Sequence, residues 1–183
     1  MTKRRLWACI GILGLLAFPT VAEGGSKAGE KRAHLDAMAE EVLNDLFSRN
    51  DGAKALYDSA YGYAVFSNIK ISLVVTGGGG HGVAIAKGGA RTYMKMGTAG
   101  LNLGLGGQKY QVVFLFENAR VFSNFVEKGW QADASANASA GTKGANAGTT
   151  FNNGLAIYQI TDKGLMLQVD ISGTKYWKNK KLN

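Results

Sequence analysis

The residues best suited to a binding chemistry lie near the C-terminus of the chain. Four lysines surround one tyrosine and one tryptophan there: Lys175, Tyr176, Trp177, Lys178, Lys180 and Lys181. Each lysine close to an anionic bilayer can add about 1 kcal/mol of attraction, and both aromatic residues favour the bilayer interface. This composition predicts a contact surface for anionic lipid headgroups. The alternative is a solvated basic tail, with the aromatic pair ending a core strand.

Two further groups with basic residues can share in such a surface. One lies ahead of the first helical pattern, and the other alternates along a predicted strand. They are Lys27, Lys31 and Arg32, and Arg91, Tyr93 and Lys95. For the strand group the alternative is an ordinary solvated sheet face, because exposed strand faces are usually polar.

The glycine run is the nearest approach to a cofactor motif. Gly77, Gly79 and Gly82 match the spacing of a dinucleotide fingerprint. That fingerprint works by aiming a helix N-terminus at pyrophosphate, whereas the following residues 83–86 alternate like a strand. We therefore predict a glycine-rich turn or bend between two strands.

Residue types for catalysis or metal binding are scarce. The chain has two histidines, His34 and His81, and one cysteine, Cys9, so a histidine-rich metal site cannot be built. The acids lack calcium-loop spacing, and no Gly-x-Ser-x-Gly elbow is present. The sequence therefore predicts a non-catalytic chain without metal or cofactor. A triad of distant residues stays open, because triads are recognised by geometry.

The N-terminus predicts a cleavable secretory signal, residues 1–22. Three basic residues precede an apolar run at 6–18, and small residues lead up to Ala22. The run is too short to span a bilayer, and we place cleavage after Ala22. Cys9 lies too early in the run for a lipoprotein signal. We therefore expect export to the periplasm or cell envelope, or to the extracellular space.

Composition predicts the kind of partner. Without residues 1–22 the chain has the length of one domain and no cysteine, which excludes a disulfide framework and thiolate chemistry. The 21 Lys and Arg of the full chain outnumber its 13 Asp and Glu, an excess that suits anionic partners. For an exported protein, we expect an anionic phospholipid or lipopolysaccharide surface rather than nucleic acid.

The remaining chain divides into a flexible leader, residues 23–32, and one domain, residues 33–183. Between Leu35 and Phe47 apolar residues recur at three- and four-residue steps, which predicts an amphipathic helix ending at residues 50–52. A short second helix is predicted at 53–60.

From Tyr63 the apolar period changes to two, which predicts strands. The predicted strands are 63–66, 69–76, 81–87, 91–96, 101–105, 110–116, 130–140 and 165–171. Residues 117–128 predict one inserted helix, and 141–153 predict a mobile surface loop. Glycines within the sheet favour curvature. The expected fold is α+β, with N-terminal helices on a curved, mostly antiparallel, glycine-rich sheet that is open or barrel-like.

Four segments resemble the SYLF lipid-binding domain family. They are 60–66 (Ala-Tyr-Gly-Tyr-Ala-Val-Phe), the glycine-rich 77–82, 112–116 (Val-Val-Phe-Leu-Phe) and 163–173. The resemblance runs from about residue 33 to the C-terminus and includes the order of the elements. Ser67 departs from it, because many relatives have proline after the Ala-Val-Phe strand.

The resemblance implies phospholipid binding without catalysis. Eukaryotic relatives recognise phosphoinositides and some also engage actin, and an N-terminal amphipathic segment contributes to their membrane contact. Here that stretch holds the predicted signal and leader. Anionic glycerophospholipids or lipopolysaccharide are the expected ligands in a bacterial envelope. The alternative is a structural or partner-binding envelope protein without lipid affinity, whose protein partner is unknown.

Overall fold

The computed structural model describes residues 26–72, 75–101, 106–131, 150–161, 164–166 and 173–183. In these ranges the helices are α1 (Lys27–Arg49), α2 (Asp51–Ser59) and α3 (Ala119–Lys128). The strands are β1 (Gly62–Ser72), β2 (Val75–Ala86), β3 (Arg91–Leu101), β4 (Gly106–Phe116), β5 (Trp130–Gln131), β6 (Leu155–Thr161), β7 (Gly164–Met166) and β8 (Thr174–Lys178). Helices packed on an antiparallel sheet confirm the predicted α+β class. The predicted signal at 1–22 and most of the predicted loop at 141–153 lie outside the described residues.

Helix α1 begins earlier than the sequence predicts. Residues 27–32, assigned above to a flexible leader, form its first turns. The Ser26 side chain caps the helix by accepting a hydrogen bond from the Gly29 amide (3.1 Å), and Glu30 in the first turn favours the positive end of the helix dipole. The leader prediction is therefore wrong for these residues, because a local cap and contacts with distant parts of the chain order them.

The predicted helix boundary near residue 50 is confirmed. Asn50 ends α1 with an extended backbone and caps α2, since its side-chain oxygen accepts a hydrogen bond from the Ala53 amide (2.9 Å). Helix α1 buries the side of its periodic pattern that faces the sheet: Leu35, Ala39, Val42, Leu43 and Leu46. The predicted inserted helix is also confirmed as α3, which begins after an Asn118 cap and ends at Gly129.

The strands form one curled, half-barrel sheet in the order β5-β8-β3-β2-β1-β4-β6-β7, with every pair antiparallel. The predicted strands 63–66 and 69–76 differ from the structure, because residues 62–72 run on as a single strand, β1. Of the predicted strand 130–140 the structure describes Trp130 and Gln131 as β5, and of 165–171 it describes Leu165 and Met166 within β7.

The glycine run lies inside β2 and not at a turn between strands. Residues 77–82 pair with β1 on one side and with β3 on the other. A Cβ at Gly80 would collide with the Ser67 carbonyl oxygen, and one at Gly82 would collide with the Val65 carbonyl oxygen. Glycine is therefore needed here for the close approach of two strands in a strongly curved sheet. The turn prediction is wrong because the run pairs with the preceding and the following strand, which the glycine pattern by itself does not indicate.

The sheet has a core on each side. On the α1 face, helices α1 and α2 cover Val65, Val83, Tyr93 and Val113. On the α3 face, helix α3 covers an aromatic cluster of Phe66, Phe114, Phe116, Phe125 and Tyr176. Alternating residues of every long strand are thus assigned to one of two environments, and that alternation decides which side chains remain for function.

Candidate functional site

The lysine-rich C-terminal segment is a strand of the sheet and its docked end. Strand β8 pairs with β3 on one side and with β5 on the other. After it, the Asn179 amide donates a hydrogen bond to the Tyr93 carbonyl oxygen (2.9 Å), and Leu182 is buried on the α1 face. The segment is therefore not a solvated tail, although Lys180 and Lys181 are exposed on its docked end.

Strand alternation divides the predicted lipid-contact residues between the two faces. Lys175 and Trp177 lie on the α1 face and are exposed, and the Trp177 side chain keeps 39% of its accessible area. Tyr176 points the other way and has 0% exposure. Its ring lies 4.8 Å from that of Phe66 and 5.0 Å from that of Phe114. The prediction that Tyr176 contacts lipid is wrong, because the pairing of β8 with β3 makes it a core residue. Lys178 is exposed at the end of the strand.

The structure brings the N-terminal basic group to the same side of the molecule. Lys27, Lys31 and Arg32 are exposed on the first turns of α1. The Arg32 Nε donates a hydrogen bond to the Leu182 carbonyl oxygen (2.8 Å), which ties the helix to the docked C-terminus. The N-terminal basic group and the lysine-rich C-terminal segment, which are far apart in the sequence, thus lie on the same side of the sheet.

A row of side chains crosses the sheet beside Lys31. The cross-strand register places Ser67, His81, Lys95 and Trp177 in line on β1, β2, β3 and β8. The Lys31 Nζ lies 3.2 Å from the His81 Nε2. We call Lys31, His81, Lys95, Lys175 and Trp177 the basic surface. Sequence reasoning did not include His81 in it, because the contact joins residues 50 positions apart.

Glycines form the sheet surface next to that row. Gly79, Gly97 and Lys175 occupy the following row of the same face. A Cβ at Gly97 would lie 3.1 Å from Cη2 of Trp177, so the indole ring lies over this glycine. The ring is therefore supported against bare backbone beside lysine side chains, which is the arrangement an interfacial aromatic residue needs.

Among the described residues, no acid forms a salt bridge with the basic surface. Within the described residues the salt bridges are Arg49–Asp45, Lys54–Asp58 and Arg91–Asp36, and none of them involves this surface. Burial lowers the pKa of His81 below its ordinary value of 6.5, and the charges of Lys31 and Lys95 lower it further. The local field therefore favours an anion and opposes a proton on the imidazole.

The third candidate group lies on one face of β3, and its contacts with α1 divide it. Tyr93 is only 7% exposed beneath α1, and its hydroxyl donates a hydrogen bond to the Asp36 carboxylate (3.1 Å). Burial and this hydrogen bond raise the pKa of Tyr93. The Arg91 Nε lies 3.4 Å from the same carboxylate. Only Lys95 of the three belongs to the basic surface, so the interpretation of Tyr93 as an exposed contact is wrong.

Neither a metal site nor an acid–base site is apparent in the described ranges. They hold no cluster of three or more His, Cys, Asp or Glu side chains. A mostly apolar cavity of about 260 Å³ lies between α2 and the ends of β1 and β2. Its charged side chains are already engaged, because the Lys87 Nζ donates to the Asp58 carbonyl oxygen (2.9 Å) and the Asp58 carboxylate pairs with Lys54. Among the helices of the described ranges, none has the length and apolarity to cross a membrane.

Comparison with known proteins identifies the family. Residues 97–183 match the model of the Ysc84 family, described as "Las17-binding protein actin regulator". The chain is also 47% identical over 156 residues to beta cell expansion factor A of Aeromonas veronii, an alignment that covers 85% of this chain and 60% of the relative. The chain thus spans about 60% of the length of that relative. These matches confirm the resemblance to the SYLF family seen in the sequence, with a Ysc84 (SYLF) domain matched over residues 97–183.

Proposed function

We propose that this chain is a non-catalytic module that binds anionic phospholipid or lipopolysaccharide membranes through the basic surface. The observation that carries the proposal is the exposed Trp177 ring, which lies on the α1 face beside Lys95 and Lys175, with Lys31 on the adjoining helix. An amphipathic ring beside lysines without a described acid partner matches the chemistry of a negatively charged bilayer interface.

The expected binding strength follows from the charges. Each lysine near an anionic surface contributes about 1 kcal/mol, so Lys31, Lys95 and Lys175 together contribute about 3 kcal/mol. Trp177 adds interfacial burial, and Lys27 lies one helical turn before Lys31. Because headgroup attraction is screened by salt, binding of this kind weakens as ionic strength rises. The predicted signal would deliver the domain to such a surface in the cell envelope or outside the cell.

The family description supports a second candidate. It names a Las17-binding actin regulator, so the basic surface can alternatively receive an acidic protein partner. A protein-partner role predicts indifference to lipid composition, which separates the two functions in one assay. The overall excess of basic residues suits either partner.

Vesicle co-sedimentation tests the proposal. Residues 23–183 are mixed with phosphatidylglycerol or phosphatidylcholine vesicles at low and high salt, so that the predicted apolar signal does not contribute. We expect pelleting with phosphatidylglycerol that falls at high salt. The Lys95→Gln/Lys175→Gln variant should lose most of it. The matched control is Arg120→Gln/Lys128→Gln, which removes the same charge from exposed positions on α3.

Two results would contradict the proposal. Equal loss of pelleting in both double variants would mean that net charge, and not the basic surface, governs the attraction. A protein that stays in the supernatant under all conditions would exclude lipid binding and make a protein partner the leading function.

A further inference from the structure

We propose that Lys31, His81 and Lys95 form a binding site for a phosphate group, and that His81 takes up a proton when the phosphate binds. The inference deepens the proposed function and rests on it, because it names the chemical group that the basic surface recognises. It also adds a property that a simple lysine cluster lacks, since ligand binding becomes coupled to pH.

The geometry brings three nitrogen-bearing side chains together on the α1 face. The Lys31 Nζ lies 3.2 Å from the His81 Nε2, and Lys95 is the direct cross-strand partner of His81. Side chains at directly opposed positions have Cβ atoms about 5 Å apart and share a face. Lys31 reaches His81 from α1, while Lys95 flanks it from β3. A tetrahedral oxyanion offers enough oxygen atoms for all three side chains.

The contact between Lys31 and His81 depends on the protonation state of the imidazole. An ammonium group has only donors, so a charged Lys31 can donate this hydrogen bond only to an Nε2 atom that carries no proton. An oxyanion inserted between these two side chains would accept hydrogen bonds from both, and Nε2 would then need a proton.

In the part of the chain that the structure describes, the charged groups that act on His81 are both positive. From α1 it faces Lys31, with the exposed Glu30 and His34 nearby in sequence. From β3 it faces Lys95, and its partner on β1 is the uncharged Ser67. Burial, Lys31 and Lys95 all lower the pKa of His81, and among the described residues no acid is found to act on it in the opposite sense. A bound phosphate would supply the missing negative charge and reverse this balance.

Linkage gives the expected size of the effect. The only chemical change is the uptake of one proton from solvent by the imidazole, and no covalent bond forms or breaks. If phosphate raises the pKa of His81 by about one unit, its affinity is about tenfold higher below that pKa than above it. Binding of an oxyanion whose own charge stays constant, such as sulfate or a lipid phosphodiester, should therefore strengthen as pH falls from 8 to 5.5.

Proton NMR of the two histidines of the full chain tests the inference. His34 is exposed on α1, the helix that carries Lys31, and is the internal reference. The His34→Gln variant assigns the two signals. The pKa of each histidine is measured in chloride, sulfate and inorganic phosphate at one ionic strength. Sulfate is the probe whose own charge stays constant over this range. We expect both oxyanions to raise the pKa of His81 by about one unit and to leave that of His34 unchanged.

Variants and vesicles separate the sources of the phosphate group. Lys31→Gln and Lys95→Gln should each raise the pKa of His81 in chloride and reduce the further rise caused by sulfate. Phosphatidylglycerol vesicles should raise it and phosphatidylcholine vesicles should not. The His81→Gln variant should lose the increase in vesicle pelleting at low pH.

The outcomes distinguish this inference from the proposed function. Vesicle pelleting with no change in the pKa of His81 would overturn the phosphate site and leave membrane binding intact. A rise caused by sulfate and phosphate without vesicle pelleting would assign the site to free phosphate and overturn the membrane proposal. Equal shifts of His34 and His81 would indicate general screening and overturn the site.

Discussion

Helix α1 crosses the sheet at two neighbouring places with opposite charge arrangements. At the first, Lys31 meets His81 and Lys95, and the pKa of His81 is lowered by burial and by both lysines. At the second, Asp36 receives the Tyr93 hydroxyl and the Arg91 guanidinium. The second place is internally balanced and partly buried, whereas the first has cations that no described acid balances. We call the first contact the Lys31 place and the second the Asp36 place. The difference indicates that the Asp36 place holds α1 on the sheet and that the Lys31 place is available to a ligand.

The largest expected effect is a loss of stability when the Asp36 place is disrupted. Tyr93→Ala removes a nearly buried ring from the α1 core and leaves the Asp36 carboxylate without its hydroxyl donor. Because large-to-small substitutions in a core leave a cavity, we expect a loss of about 3 kcal/mol in the free energy of unfolding. Chemical denaturation followed by circular dichroism measures it. Lys95→Ala, two residues along the same strand, should change stability by less than about 0.5 kcal/mol.

The next largest effect is a loss of vesicle binding when lysines of the basic surface are neutralised and the fold stays intact. Lys95→Gln/Lys175→Gln should weaken phosphatidylglycerol binding by about 2 kcal/mol, which is about 30-fold, because each lysine contributes about 1 kcal/mol. Titration with vesicles at low salt gives the partition coefficient. Arg120→Gln/Lys128→Gln should reduce the partition coefficient by less than about threefold, since these residues lie on α3, on the opposite face of the sheet. A denaturation midpoint equal to that of the unmodified protein would show that the loss is not caused by unfolding.

A smaller effect tests whether the two places are independent. Asp36→Asn keeps the shape of the side chain but removes its charge from Arg91 and weakens the hydrogen bond from Tyr93. We expect a loss of about 1 kcal/mol in stability, since exposed ion pairs contribute little and hydrogen bonds to charged groups contribute more. Vesicle binding should not weaken. A loss of binding comparable to that of the lysine variant would mean that the position of α1, and not the local charge, controls the basic surface.

The sequence predicted those parts of the fold that depend on local patterns. The apolar spacing from Leu35 to Phe47 and from residue 117 to 128 gave α1 and α3, because helix faces repeat within a few residues. The site was predicted only in part. Trp177 and the lysines of β8 were found from composition, but the burial of Tyr176 depends on the register with β3, and the neighbours of His81 come from α1 and β3. Contacts between residues far apart in the chain leave no spacing signal.

The glycine run is a second feature whose local sequence pattern does not predict the structure. A local pattern of glycines predicts a turn, since glycine weakens isolated strands. In the folded chain, residues 77–82 are paired on both sides, and the curvature of β1 and β2 leaves no room for a Cβ at Gly80 or Gly82. The requirement for glycine comes from the partner strand. Gly80 and Gly82 face α3, whereas Gly79 and Gly97 lie on the α1 face and keep the sheet surface beside Trp177 free of side chains.

The smallest expected effect is the pH dependence of stability at the Lys31 place. Because the folded-state pKa of His81 lies below its ordinary value of 6.5, the unfolded chain binds more protons between these two values. Stability should therefore be highest above pH 6.5 and fall as pH decreases toward the folded-state pKa. Lys95→Glu gives the Lys31 place an acid, as the Asp36 place has, and should raise the pKa of His81 and reduce or reverse this slope. Thermal unfolding between pH 5 and 8 measures it, with His81→Gln as the reference that lacks the titrating group. An unchanged slope in both variants would assign the pH dependence to other residues and remove the distinction drawn between the two crossings of α1.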